Sequence, residues 1–424
     1  MQFRSVAMNE SNAEYSQAIL REQALPERYQ DTRSPFYRDY TRILHSRAYR
    51  RLKHKTQAFY ATGNDHICTR IEHVQHVASI SYSLAQALGL NTELVQAIAL
   101  GHDLGHAPFG HHGEIILRKL VQKYIDKNRH YWHERNSLYF VDSIETLPDS
   151  HGIESNLNLT YAVRDGIICH CGEVKTQALR PRAQVMDLHS ISAPGEVEAW
   201  TWEGCVMKIA DKISYLGRDI EDALTLHVLT DTENQDLMQL LYDGLGESVL
   251  EMQKELSTSE RLVRITNTLL INTFISDLVA HSSIEAGLSF SPSVFNLMND
   301  LMEFSILRIY SHRRLQAFAK YAELMLTQLF EHLAAYCTAD GQSAAIIQHL
   351  EQDYATYPEL CGNFRAYLRK YAYPVEGNSR SALNGNKPIY DLESKEGYYQ
   401  AIIDFLSGMT DHYAMKTFQE LIQL

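Results

Sequence analysis

The sequence predicts an all-helical protein, a helical core with a helical C-terminal lobe packed on it. Ala, Leu, Ile, Glu and Gln recur throughout, and only 10 prolines and 21 glycines punctuate 424 residues. Apolar residues return at three- and four-residue intervals over long stretches, the period of an amphipathic helix. With 45% hydrophobic residues the chain can bury a substantial core, as one large domain or two smaller ones.

Residues 1 to 60 are polar and basic in patches and read as an arm with short helices. Residues 61–230 form the core. From Thr69 to Leu88 the positions Ile71, Val74, Val77, Ala78, Ser81, Leu84, Ala85 and Leu88 keep helical spacing, and Gly89 stops the run. Asn91 or Thr92 caps the next helix, which turns Leu94, Ile98 and Leu100 inward and ends near His102–Asp103. A further helix begins around His111 and runs through Ile115, Ile116, Leu120 and Val121. Between Cys205 and Thr225 the pattern Val206, Ile209, Ala210, Ile213, Leu216, Ile220, Leu224 is again helical. Residues 231–424 continue as the C-terminal lobe, with no internal repeat. A Gly/Asn/Ser-rich stretch at 377–386 reads as a surface loop before a final helix.

The formal net charge of −13 argues against general affinity for nucleic acid backbones or anionic membranes. An anionic substrate then needs local positive charge. Six cysteines, at 68, 169, 171, 205, 337 and 361, form no CxxC pair and read as reduced thiols. There is no run of 18 apolar residues and no apolar signal region, so a soluble, cytoplasmic protein without membrane contact is expected.

The chemistry concentrates in four side chains: His73, the adjacent pair His102–Asp103, and Asp211. Two imidazoles and two carboxylates from three segments suit one divalent cation (Mn, Mg, Fe, Ni or Zn) with room left for water and a substrate oxygen. The string Gly101–Glu114 adds His106, His111, His112 and Glu114, and His133 follows. Imidazoles beyond the four ligands are free for proton chemistry, and a His held by a carboxylate is oriented and kept basic. His112 is read as structural. Asp211, Tyr215 and Asp219 are spaced i, i+4, i+8 on one helix face with Lys212 beside them. Arg70 sits three positions before His73. With Lys212, Arg164, Gln57 and Tyr215 it suggests a substrate rich in oxyanions, hence phosphate.

These residues fall in ordered motifs. Arg38–Ser46 and Arg50–Gln57, then His102-Asp103-Leu104-Gly105-His106 through Gly113-Glu114, come first. Asn158-Leu159-Thr160 with Asp165-Gly166-Ile167 and His170 follow, then Ala210–Tyr215 with Arg218-Asp219, and finally Ser407-Gly408-Met409-Thr410-Asp411. In this order the chain resembles the HD superfamily, and within it the deoxynucleoside triphosphate triphosphohydrolases, from about residue 33 to 418.

The resemblance implies an all-α HD-domain fold and hydrolysis of a dNTP to deoxynucleoside and tripolyphosphate. By motif, His73, His102, Asp103 and Asp211 would be metal ligands. His106, His111, Glu114 and His133 would supply the catalytic group, the proton donor among the three imidazoles being left open. Arg70, Lys212 and Tyr215 would touch the triphosphate. Gln57 and Asp219 would lie near the sugar 3′-hydroxyl, and Tyr215 could also pack by the deoxyribose. A homo-oligomer (hexamer or tetramer), a nucleotide effector and weak single-stranded DNA binding belong to the same expectation.

The chain departs from the common pattern at Glu72 and His76, which add titratable groups beside the first ligand. It departs again at Met302, where many relatives carry a basic residue. Other readings of the same residues are an HD phosphohydrolase acting on a monophosphate, cyclic or alarmone nucleotide, and a nucleotide sensor or single-strand binder with a vestigial site. The intact tetrad argues against the last.

Overall fold

Capping chemistry sets the helix that opens the core. The computed structural model describes residues 2–25, 31–60, 64–170, 176–246, 258, 262–263, 265–337, 343–375 and 377–423. The first segments carry α1 (Tyr15–Ala18), α2 (Pro35–His45) and α3 (Arg47–Arg51). The core follows with α4 (Arg70–Leu88), α5 (Thr92–Gly101), α6 (Gly110–Tyr124), α7 (His133–Tyr139), α8 (Tyr161–Cys169) and α9 (Trp202–Thr225). Thr69 and Glu72 form a capping box at the start of α4, with the Thr69 N–H donating to Glu72 Oε2 at 2.8 Å. Gly89, at φ +86°, ends it in the left-handed region that glycine adopts without strain. Asn91, rather than Thr92, caps α5, its side chain accepting from the N–H groups of Glu93 and Leu94. Seven of the ten residues of α5 are buried, so it runs through the centre with α4 and α9 packed on it.

Two starts differ from the sequence reading by a few residues. Helix α9 begins at Trp202, because the Thr201 side chain accepts from Gly204 N–H and adds most of a turn ahead of Cys205. Helix α6 begins at Gly110. Phe109 and Gly110 both have positive φ (64° and 56°), so the chain reverses sharply after the His102–His106 turn before the helix starts.

The remaining helices are α10 (Asp231–Leu245), α11 (Ile271–His281), α12 (Pro292–Phe304), α13 (Arg313–Ala334), α14 (Ser343–Gln352), α15 (Pro358–Tyr371), α16 (Lys395–Ser407) and α17 (Asp411–Ile422). Helices α13 and α16 pack on α6. The all-helical expectation holds. Among the described residues, sheet is confined to two short antiparallel pairs, β1 (Thr146–Pro148) with β2 (Glu154–Asn156) and β3 (Ala178–Leu179) with β4 (Leu288–Ser289). No helix among them is long and apolar enough to cross a membrane.

The structure revises the reading of both ends. Phe3, Ala7 and Met8 are buried, Phe3 lies edge-on to Trp202 at 4.9 Å, and Glu203 Oε1 accepts from the N–H groups of Met8 and Asn91. The polar first segment is therefore pinned to the core through its few apolar residues. At the far end Asn378 and Asn386 are buried within the 377–386 loop, and two helices follow it rather than one. The chain breaks at Gly408–Met409, and Thr410 caps α17 by accepting from Tyr413 N–H. That break turns Asp411 toward the core. Cys68, Cys169, Cys205, Cys337 and Cys361 are free thiols, and Cys171 lies outside the described residues.

Candidate active site

Helix α4 carries His73, the turn that ends α5 carries His102 and Asp103, and α9 carries Asp211, so α5 and the two helices packed on it bring their donors to one point. His73 Nε2 lies 3.0 Å from Asp211 Oδ1 and 3.7 Å from Asp103 Oδ2. His102 Nε2 lies 3.5 Å from Asp103 Oδ1 and 3.8 Å from Asp211 Oδ1. An ion about 2.0–2.2 Å from each nitrogen and oxygen ligand spaces neighbouring donors by roughly 3–4 Å, so the cluster has the dimensions of one metal site. His102 also has the right tautomer. Its Nδ1 donates to Ala99 O at 2.7 Å, which leaves the Nε2 lone pair aimed into the cluster, buried and without a protein hydrogen bond. The donor set fits a divalent cation.

Burial works against charge on both carboxyls, and their neighbours outweigh it. The His73 hydrogen bond and the His102 and His170 rings hold Asp211 down at about 2. His102, Arg70 and His106 keep Asp103 well below the usual carboxylate range. Both are anionic at neutral pH and ready to ligate. Arg70 Nη1 donates to Asp103 Oδ2 at 2.7 Å, so this guanidinium orients a member of the tetrad while it also borders the cavity.

Beyond the tetrad runs a chain of imidazoles and acids. His106 Nε2 is 3.1 Å from Asp103 Oδ1, and its ring stacks on His133 with centroids 3.9 Å apart. His133 is clasped on both sides. Its Nδ1 is 2.8 Å from Glu114 Oε2 and its Nε2 is 3.2 Å from Glu134 Oε1. Glu114 is held in turn by Arg118 at 2.7 Å. Burial opposes charge on His133, but Glu134 and Glu114 overcome it and raise its pKa to about 9. His106 and His111 have no such clasp. Burial and nearby positive charge push His106 well below its ordinary value and His111 to about 4. His133 therefore holds a proton at pH 7 while His106 and His111 are neutral.

His73, Asp103, Asp211, Arg70, His106, His111 and His133 border one cavity of about 390 Å³, while His102 and Glu114 are not among its wall residues. Its wall also includes every substrate-contact residue expected from the sequence: Gln57, Arg70, Lys212, Tyr215 and Asp219. Asp219 is buried and accepts from Tyr310 O–H at 2.6 Å. The cavity further includes His170, Lys208, Glu134 and Tyr310, which the site reading had not picked out. Glu134 directly follows His133, and His170 lay in a quoted motif, so both had a signal. Tyr310 had none. It is the last residue of a π-helical turn at Ser305–Tyr310, a break that periodicity does not show.

One expectation changes. Arg164 does not border the cavity. Its guanidinium makes a two-point pair with Asp142 (2.8 and 2.6 Å) and reaches Glu22, because its face of α8 turns the other way. His76 lies against Arg218 (2.9 Å) and is outside the cavity wall. His112 accepts or donates at Nδ1 with Tyr60 O–H at 2.5 Å, the structural contact read for it, and also borders the cavity.

The HD domain family model matches residues 70–216, the stretch from the start of α4 to the middle of α9. Over about nine-tenths of its length the chain is similar to proteins called deoxyguanosinetriphosphate triphosphohydrolase-like. The one from Desulfatibacillum aliphaticivorans is 31% identical over 392 residues, covering 92% of this chain and 88% of that protein. The one from Caldanaerobacter subterraneus subsp. tengcongensis is 29% identical, covering 92% and 86%. The one from Thiobacillus denitrificans is 30% identical, covering 91% and 89%.

Proposed function

Because the chain belongs to the family of deoxyguanosinetriphosphate triphosphohydrolase-like HD proteins, we propose that it hydrolyses deoxynucleoside triphosphates to deoxynucleoside and tripolyphosphate. One observation carries the reading: a cluster of four candidate metal donors opens into the same cavity as an imidazole clasped by two carboxylates and the cations Arg70 and Lys212.

His73, His102, Asp103 and Asp211 would hold one divalent ion, which supplies positive charge opposite the charge developing on the α-phosphate. Lys212 and Arg70 draw in and orient the triphosphate. Water adds to the α-phosphorus as the bond to the 5′-oxygen breaks, and that oxygen leaves with a proton. His133 is assigned as the proton store, since of the three candidate imidazoles it is the one that is charged at neutral pH. Neutral His106 stacks on its ring and His111 lies edge-on to both, so the three imidazoles form one group at the cavity wall. Glu114 keeps His133 charged and oriented. Gln57 and Asp219 would meet the sugar hydroxyl, and Tyr215 would crowd C2′ against a ribonucleotide. Preorganised charge and position supply most of the rate.

The test is to incubate metal-loaded protein with each dNTP and NTP, alone and in mixtures, and to identify products. Tripolyphosphate with deoxynucleoside is expected. Release of single phosphate or pyrophosphate would overturn the reading. Replacing His106 or His111 by Ala should leave metal content near normal while turnover collapses.

A further inference from the structure

The phosphate and sugar contacts proposed above use one part of the cavity wall and leave another. Ala58, Tyr60, His112, Met302, Tyr310 and Leu315 also border the cavity, and the reaction gives them no task. Apart from one imidazole this part is apolar and aromatic, a composition that suits the flat ring a nucleotide carries at the end away from its phosphates. Its place in the fold agrees. Ala58 and Tyr60 come shortly after Gln57 in the chain, and Tyr310 donates to Asp219 at 2.6 Å, so this wall adjoins both residues assigned to the sugar.

His112 is the group in this wall that can tell one base from another. Its Nδ1 lies 2.5 Å from the Tyr60 hydroxyl. Tyr60 is itself held in place. Its ring stacks on Phe318 with centroids 4.6 Å apart and an interplanar angle of 10°, and Phe318 packs edge-on against Phe109 at 5.6 Å. A phenol is a stronger acid than a neutral imidazole, so the hydroxyl donates to Nδ1 and the imidazole proton stays on Nε2. Burial lowers the pKa of His112 and raises that of Tyr60, which keeps both groups neutral at pH 7. Nε2 has no hydrogen-bond partner among the described residues. The wall therefore presents a donor of fixed direction whose acceptor the protein does not supply.

We propose that this wall seats the nucleobase and that His112, its tautomer set by Tyr60, donates from Nε2 to a base carbonyl, favouring guanine and thymine over adenine and cytosine. Guanine O6 and thymine O4 accept a hydrogen bond, whereas adenine and cytosine carry an amino group at the matching position and would set donor against donor. A polar pair left unmade in a buried site discriminates more sharply than a difference in bulk. The preference presupposes that the chain takes deoxynucleoside triphosphates, as proposed above, and adds which of them fit best.

The test compares dGTP with dATP and dTTP with dCTP, pairs matched in ring size, on the full metal-loaded chain. Wild type gives kcat/KM, and calorimetry on His106→Ala, in which turnover should collapse with metal retained, gives affinity. Both ratios should favour the carbonyl base by at least about tenfold. Tyr60→Phe keeps the ring that stacks on Phe318 but releases Nδ1, so the imidazole can take whichever tautomer a base requires. Added to each background, it should bring both ratios to within about threefold of unity. His112→Gln, whose amide can donate or accept, should do the same. If His112 only braces Tyr60, these variants shift all four nucleotides alike and the ratios stay where they were, which overturns the proposal. Equal affinity for the four bases without either substitution, or a preference for the amino bases, also overturns it. If no dNTP is hydrolysed the proposed function falls, while the affinity ratios still judge the base seat; if none of the four binds, both fall.

Discussion

His133 shows how far two neighbours can move one group. Burial alone would strip its proton, yet Glu134 and Glu114 lift it to about 9. The folded protein therefore binds this proton more tightly than the unfolded chain does. The resulting stability is fully present below the ordinary imidazole pKa near 6.5 and is lost as pH rises through about 9. If His133 stores the catalytic proton, turnover falls over the same alkaline range. Replacing Glu114 by Gln removes one of the two clasping charges. The alkaline limb of the kcat profile should move down by about 1–3 pH units, with metal content unchanged, and a limb that stays in place would remove His133 from the role.

The tetrad makes a separate prediction. Asp211→Ala should lower metal affinity by at least about 100-fold, more than second-shell losses typically do, as read by metal analysis after dialysis. At this scale the sequence was most informative about residue types, because four histidines crowded into Gly101–Glu114 have few bland explanations. It could not tell Arg164 from Arg70, since the direction a guanidinium takes depends on which face of its helix the neighbours cover.

Among the elements, the short turn between α5 and α6 is the most constrained. A Cβ on Gly105 would stand 2.1 Å from Ser137 N, and one on Gly113 would stand 1.8 Å from Pro108 O. Neither obstacle is a side chain that can swing away. Gly105→Ala should cost at least about 1–3 kcal/mol, the usual penalty of overpacking, visible as a lowered melting temperature, and should displace His106 together with α7. Asp411 acts on the same turn from the other end of the chain, accepting from Phe109 N–H at 2.8 Å. Asp411→Ala should reduce turnover by about 100-fold, the scale of an ångström-sized misplacement, while metal content holds.

Helix bodies α4, α5 and α9 were legible from apolar spacing, and Thr69, Gly89 and Asn91 marked ends correctly. The start of α6 at Gly110 was harder to place, because Phe109 adopts φ 64° under tertiary constraint and no local rule anticipates that of a phenylalanine. The π-turn that brings in Tyr310 was hidden for a similar reason.

Across the whole molecule, one cluster of buried apolar side chains runs from Phe3 to Phe418, so the segments that build the site share a core with the C-terminal lobe. Filling the metal cluster should then stabilise more than its surroundings. At a free metal concentration 100 times the dissociation constant the gain is about 2.7 kcal/mol. It should appear as a rise in melting temperature on adding Mn²⁺ that Asp211→Ala abolishes. The sequence conveyed the helical class and the ordered motifs but not the depth of this integration. The polar opening residues and the Asn-rich loop looked peripheral, yet Phe3 and Asn378 are buried, because a few residues suffice to anchor a segment whose average composition is that of a surface.

Asp411 has a consequence for synthesis. The candidate metal donors and the imidazole cluster are translated before residue 220, but the carboxylate that holds Thr56 and Phe109 in place is made almost 200 residues later. A nascent chain, or one cut short by a premature stop, carries the complete set of reactive side chains without the brace that aligns them. If the proposed reaction holds, a copy that stops before Asp411 should lose most of its turnover.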